Sequence, residues 1–475
     1  MIDSKIIHVI KIFSAIELKK LGRFLVFTSE NEQMLKFYRH IIHYYPFFES
    51  DEIKKEFVFK KLFPKQKYDD IKMRHLISGL NKIIYSYFEF EEIQQDKLIA
   101  NHLLLNGFRK RNLSFQFESL LKDQLQNEKI ISSNDPKLFL YEYLNQDTYR
   151  HYLYNQLNRS VEPNLQVLSD SLDLHYIINK LKIYCEAISY QNISKVNYDI
   201  KFIDTILPHI EKSGISQNLL IRFYSKILQL LTEKEINNNL YQELKELLLE
   251  QYKKLPANEL DDVYSLTKNF CIRQVNKANA LYVKELFYLY KFEIKRFREE
   301  KQKIFSPNTY KNITSIGLRL HEYEWVHNFL QEFVNYLPED HKNNSYHINL
   351  AQYYFSTRQY KNVNKQLFKI GTGDLFVTLS AKALQVRTYY ELHEIMPLES
   401  LLQSFKMFIS SKKKIGYHRD NYLNFIKFVS RLNRFNYKDH ERKHIQKLRE
   451  EIQSEKNILE KDWLLEKISE LEEKR

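Results

Sequence analysis

A four-point apolar stripe recurs along the second half of this sequence. It falls on Tyr323, Val326, Leu330 and Phe333, then on Tyr360, Val363, Leu367 and Ile370, then on Ile395, Leu398, Leu402 and Phe405. The offsets of 3, 7 and 10 put each set on one face of a helix. The sets begin 37 and then 35 residues apart. Each follows another amphipathic segment, and the pairs Tyr353–Tyr354 and Tyr389–Tyr390, 36 positions apart, lie near the ends of two of these. The unit is a helix–turn–helix of about 36 residues, a period that predicts hairpins stacked as an α-solenoid. A lone hairpin cannot cover both its apolar faces; the next one in the stack does so.

The rest of the chain agrees with an all-α class. Its 475 residues include eight glycines and nine prolines, too few for many tight turns. A chain of this length exceeds the usual single core, so it forms several domains or one elongated array. Four regions are expected. Residues 1–130 form an N-terminal helical domain with breaks at Pro46, Pro64 and SSNDP (132–136). Residues 131–257 form a middle helical region punctuated by Pro163, Pro208, Gly214 and Pro256. The clearer repeats occupy 258–436. Residues 437–475 form an amphipathic capping helix carrying Ile445, Leu448, Ile452, Leu459, Trp463, Ile468 and Leu471.

The segment LAQYYFSTRQYKNV resembles a degenerate tetratricopeptide repeat. Leu350 and Ala351 match its large–small pair, and Tyr354 and Tyr360 its two aromatics. Val363 and Ile370 stand at its small positions and Arg358 at its turn glycine. The resemblance implies a concave face built from the first helix of each hairpin. Alignment on Tyr354 and Tyr390 then points Gln352, Phe355, Thr388 and Glu391 into a partner groove. Across most of its length the chain also resembles a group of uncharacterised bacterial helical-repeat proteins. That likeness rests on VFKKLFPKQKYDDIKMRHLISGLNKII, KNITSIGLRLHEYEWVHNFLQEF and NYLNFIKFVSRL, and it implies a fold without an activity.

Motifs for chemistry are lacking. A zincin helix needs histidines at i and i+4; HEYEWVH at 321–327 has Trp325 there and its second histidine at i+6. His40 and His43 are spaced for a shared ligand, but no third ligand accompanies them, and they read as aromatics at a core edge. GTGD at 371–374 lacks the strand and lysine of a phosphate loop. It reads as a glycine stopping one helix and Asp374 capping the next. Cys185 and Cys271 fit neither a disulfide framework nor zinc spacing and read as buried small hydrophobes. No enzyme activity, cofactor or metal is expected. Lys5, His8 and Lys11 interrupt the apolar start, so no signal peptide is expected, and no apolar run is long enough to span a bilayer. A cytoplasmic protein without a membrane or small-molecule partner is expected.

The formal charge of +13 permits nucleic-acid contact without requiring it. Residues 411–450 carry twelve Lys or Arg against four acids, interleaved with Tyr417, Tyr422, Phe425, Phe428, Phe435 and Tyr437. Such a mixture can hold single strands, although Tyr422, Phe425, Ile426 and Val429 also follow core spacing. Residues 57–88 resemble the helix-turn-helix half of a winged-helix domain. In that reading Met73, Ile77, Leu80, Ile84 and Tyr87 face the core. Arg74, His75, Ser78, Asn81 and Lys82 face outward, where a recognition helix meets DNA. The next segment, EFEEIQQDKLIANHLLL, reads as more helix, not a wing. The sequence thus supports a non-catalytic scaffold for a protein or peptide, with a nucleic-acid-binding regulator as the alternative.

Overall fold

The computed structural model describes residues 5–29, 31–125, 134–156, 161–194, 196–233, 235–301, 304–371, 373–412, 416, 418–437 and 442–473. These contain twenty-three α-helices, four short 3-10 turns and no β-strand. The all-α class expected from the sequence is the observed one. The chain divides into two compact units, Met1–Val263 and Tyr264–Arg475.

A chain poor in glycine and proline must begin and end its helices by other means. Asn, Asp and Ser open them. Asn31, Asp69, Asp96, Asp135, Asn218, Asn237, Asn279 and Asp374 each accept a hydrogen bond from an N–H of the helix they precede. Ser14 and Glu17 form a reciprocal capping box. Each such cap contributes about 1 kcal/mol.

Four helix ends are closed by left-handed residues that are not glycine. Ala278, His321, Arg358 and His393 have φ of 63°, 60°, 59° and 55°. The following N–H donates five positions back: Asn279 to Gln274, Glu322 to Gly317, Gln359 to Tyr354 and Glu394 to Tyr389, at 2.8–3.1 Å. This is the Schellman closure, usually built on glycine. His321, Arg358 and His393 stand 37 and 35 residues apart, the same separations as the apolar stripes.

In the first unit, Lys5–Lys11, Ala15–Thr28, Glu32–Ile42 and Lys55–Leu62 pack with Asp70–Gln95. Their shared core includes Ile7, Leu21, Phe37, Phe59, Leu80 and Ile84. Lys97–Lys110 and Ser114–Leu125 follow, and Leu105 and Phe117 close on Tyr152 of Pro136–Asn155. The 30-residue helix Leu165–Ser194 packs on Pro136–Asn155 and on Leu219–Thr232. Both cysteines of the protein are buried and in no disulfide, Cys185 on this helix and Cys271 in the second unit.

In the second unit two successive first helices each pack on their own partner and on the next first helix. Pro307–Arg319 meets Tyr323–Phe333 and Glu339–Ser356; Glu339–Ser356 meets Tyr360–Leu367 and Leu375–Glu391. Gly317 allows the first of these hairpins to close: a Cβ there would lie 2.4 Å from Val326 Cγ2. Leu375–Glu391, Ile395–Ser411, His418–Tyr437, Arg442–Ser454 and Lys461–Glu473 share a further core that includes Leu384's neighbours Ala383 and Val386 together with Phe405, Phe425 and Leu448.

Three local expectations change. Pro208 lies inside Ile203–Lys212 and does not end it; five residues from the helix start, it removes a single backbone bond. Helix Tyr360–Leu367 stops before Gly371, whose N–H donates to Asn344 Oδ1 at 2.8 Å; the glycine is not the terminator. Asp374 does cap the next helix, through the N–H groups of Phe376 and Val377. The C-terminal segment forms two helices, Arg442–Ser454 and Lys461–Glu473, packed on each other. A turn around Glu460, at φ 59°, separates them. Ile445, Leu448, Ile452, Trp463, Ile468 and Leu471 are buried, with Leu459 partly so.

The turn chemistry is testable. A left-handed non-glycine residue costs about 1–2 kcal/mol, and glycine returns part of that as unfolded-state entropy. Arg358→Gly and His393→Gly, both at exposed sites, should therefore each raise stability by about 0.5–1 kcal/mol in urea titrations. Asp374→Ala should lower it by about 1 kcal/mol. Unchanged or lower stability in both glycine variants would remove the assigned strain.

Candidate partner-binding surfaces

The four residues assigned to a groove from sequence occupy two successive first helices, and three of them engage other side chains of the unit. Arg387, only 5% exposed, places Nη2 3.3 Å from Gln352 Oε1 and Nη1 2.8 Å from Glu460 Oε2. Its guanidinium lies 4.5 Å from the centre of the Phe355 ring. Glu391 accepts from Trp463 Nε1 at 2.7 Å and from Lys467 Nζ at 2.9 Å. Thr388 is wholly buried and its hydroxyl donates to the Leu384 carbonyl. Gln352, Phe355 and Glu391 do converge, but what they hold is Arg387 and the chain's own segment 460–467.

Lys467 is as buried as Arg387. Burial alone would push its pKa down; hydrogen bonds to Glu470 and Glu391, with the charge of Glu466, outweigh that and raise it. The amine stays charged, and its contribution to stability is complete at neutral pH. It declines only as pH climbs past the ordinary lysine value of about 10.5. The Tyr360 phenol is also raised, by burial first and then by the charge of Glu391.

A second feature of this unit is a cleft of about 310 Å3 between Ala280–Glu299 and Tyr323–Phe333. Trp325 stacks on Phe329 with centroids 5.5 Å apart and planes within 3°, and meets Phe287 edge-on at 4.8 Å. Lys291 Nζ lies 4.3 Å from the Phe287 centroid and 5.5 Å from that of Trp325. Arg298 grips both oxygens of Glu332, at 2.8 and 2.7 Å, beside the Phe333 ring. A half-buried tryptophan beside a stacked lysine and an arginine has the composition of an interface anchor. The volume is at the lower limit for a small-molecule site and suits one or two inserted side chains.

The sequence reading missed this cleft. HEYEWVH lacks the spacing of a metal motif, and its informative residue is Trp325. The two histidines part company: His321 sits in the turn with Nδ1 2.7 Å from Tyr323 Oη, and His327 packs on Tyr353. Likewise His40 Nε2 lies 2.9 Å from the Glu52 carbonyl oxygen, and the His43 ring meets Tyr44.

In the first unit, Asp70–Gln95 exposes Arg74, His75, Ser78 and Lys82. Asn81 is half-buried, its Oδ1 lacking a hydrogen-bond partner among the described residues. Met73, Leu80, Ile84 and Tyr87 are buried as expected, Leu76 joins them, and Ile77, partly buried, packs against the same core. Arg74 pairs with Asp70 at 2.6 Å. In the basic stretch Tyr422, Phe425, Phe428 and Phe435 are buried; Tyr417 and the Tyr437 side chain lie outside the described residues. The described rings of that stretch are core residues, not stacking platforms.

Among the described residues no helix is long and apolar enough to cross a membrane, and no cluster of three His, Cys, Asp or Glu could hold a metal ion. The fold defines an all-α protein of successively packed helices. No family model matches the chain, and no curated protein or solved structure does so.

The buried pair predicts a coupling. Lys467→Met leaves the Glu391 carboxylate without its cation and should cost about 3–5 kcal/mol. Adding Glu391→Gln should restore much of that. Additive losses in the double-mutant cycle would show that the two groups do not stabilise each other.

Proposed function

We propose that this protein is a non-catalytic α-solenoid scaffold, similar to tetratricopeptide-like proteins, that holds a peptide or protein partner. The repeated hairpin turn at His321, Arg358 and His393 supports the solenoid reading. The observation that carries partner binding is the Trp325 cleft, an accessible aromatic and cationic anchor on the hairpins. The face formed by Gln352, Phe355 and Glu391 is already filled by Arg387 and segment 460–467. The reading therefore places the partner's anchor at Trp325.

The exposed Arg74, His75, Ser78 and Lys82 support a second reading, nucleic-acid contact through Asp70–Gln95. One experiment separates the two. Tagged full-length protein is used to capture partners from native lysate with and without nuclease, beside Trp325→Ala and Arg74→Glu/Lys82→Glu variants. The scaffold reading expects a stoichiometric protein that survives nuclease and is weakened about thirtyfold by Trp325→Ala, the loss typical of an interface anchor. Retention of the partner by folded Trp325→Ala would overturn the cleft. Loss on nuclease treatment and in the charge-reversal variant, with steep salt dependence, would transfer the assignment to nucleic acid.

A further inference from the structure

In the first unit, Ala15–Thr28 and Glu32–Ile42 leave an open groove of about 480 Å3 between them. Its lining on the first helix falls at positions 15, 18, 19, 22, 23 and 26, and on the second at 35, 38, 39 and 42. Both sets follow the 3-and-4 spacing of a helix face that packs against another helix. The two faces meet below, where Tyr38 Oη donates to the Leu18 carbonyl at 2.6 Å. Gly22 lets the Tyr38 ring close in, since a Cβ there would lie 3.2 Å from Tyr38 Cε1.

The groove has an apolar floor, with Leu18 and Tyr38 buried. Its rim is apolar as well: Val26 is 58% exposed, and the adjoining Ile16 and Phe27 are 70% and 88% exposed. The charges around it have one sign. Lys19, Arg23 and Arg39 line it, and none has a carboxylate partner among the described residues. Two acids of the same helices are otherwise engaged, Glu17 by Ser14 and Glu32 by Lys36.

We infer that this groove binds an amphipathic helix with an apolar stripe flanked by carboxylates, supplied by a protein partner. The lining runs from residue 15 to residue 26, about 16 Å at 1.5 Å per residue, which matches three turns of a docked helix. The occupant completes a three-helix seam. Its apolar stripe covers Leu18, Tyr38 and Val26, and its carboxylates meet Lys19, Arg23 and Arg39. The concavity favours a helix over a bilayer, whose surface cannot fill a trough between two helices. The surface is separate from the Trp325 cleft, and the inference does not rest on that reading.

The test uses the full chain and a fluorescein-labelled synthetic helix of about three heptads, with leucine at a and d and glutamate at e and g. Anisotropy should report saturable one-to-one binding. Arg23→Glu/Arg39→Glu should weaken it at least about tenfold, as should Val26→Asp; circular dichroism confirms that these surface variants fold. Raised salt should weaken binding, and a peptide with lysine at e and g should not bind. Trp325→Ala should bind as the unaltered chain does, so failure here and failure of the cleft are distinguishable. Absence of saturable binding up to about 0.1 mM, or equal affinity for the lysine peptide, would overturn the proposal. So would phosphatidylserine vesicles binding in the peptide's place, or a dimer that Val26→Asp dissociates.

Discussion

The hairpins of the second unit depend on a reversal of direction made without glycine. At Ala278, His321, Arg358 and His393 the chain enters the left-handed region, and the next N–H returns to a carbonyl five positions back. This satisfies carbonyls that would otherwise be stranded at the helix end. It also fixes the register of the following helix, whose apolar stripe must meet the preceding one. Local strain of about 1–2 kcal/mol per turn is small against the burial it directs. Val326, Leu330 and Phe333 in one hairpin and Leu398, Leu402 and Phe405 in another are almost fully buried, each side chain contributing about 1.5–3 kcal/mol.

The same economy explains which features could be read from the sequence. The apolar stripes were legible because helix spacing follows directly from residue order. The cap at Asp374 was of the same kind, set by a residue within three positions of its donors. Turns were harder. No turn glycine announces position 358 or 393, and the one glycine pair, at 371 and 373, lies after a helix that has already stopped. The C-terminal segment reads as one periodic helix because Glu460 looks like a surface residue; only its left-handed backbone and its bond to Arg387 reveal the corner.

The site was less legible because its partners are distant in sequence. Glu391 and Lys467 meet across 76 positions, and Arg387 and Glu460 across 73. A motif could propose that Gln352, Phe355 and Glu391 share a face. It could not show that segment 460–467 lies on that face. The Trp325 cleft is also tertiary, since Lys291 and Arg298 reach it from Ala280–Glu299, two helices earlier in the chain. An aromatic on a polar helix face was the visible signal, and its value depended on those two cations.

Energetics distinguish the occupied surface from the available ones. A partner competing for the Gln352–Glu391 face must displace segment 460–467 and strand Arg387 and Lys467, both 5% exposed, or their carboxylates. Uncompensated buried charge costs about 3–5 kcal/mol per broken pair, a large part of the stability of a typical domain. Lys291 at the Trp325 cleft presents a different balance. It is held by ring faces and pairs with no carboxylate among the described residues. Lys19, Arg23 and Arg39 stand open beside their groove. At those surfaces an incoming carboxylate gains a cation without breaking an existing bridge, and an incoming apolar side chain covers area that folding left in water. A ligand docked there would leave the internal ion pairs intact, so its contacts would not be offset by unfolding part of the protein.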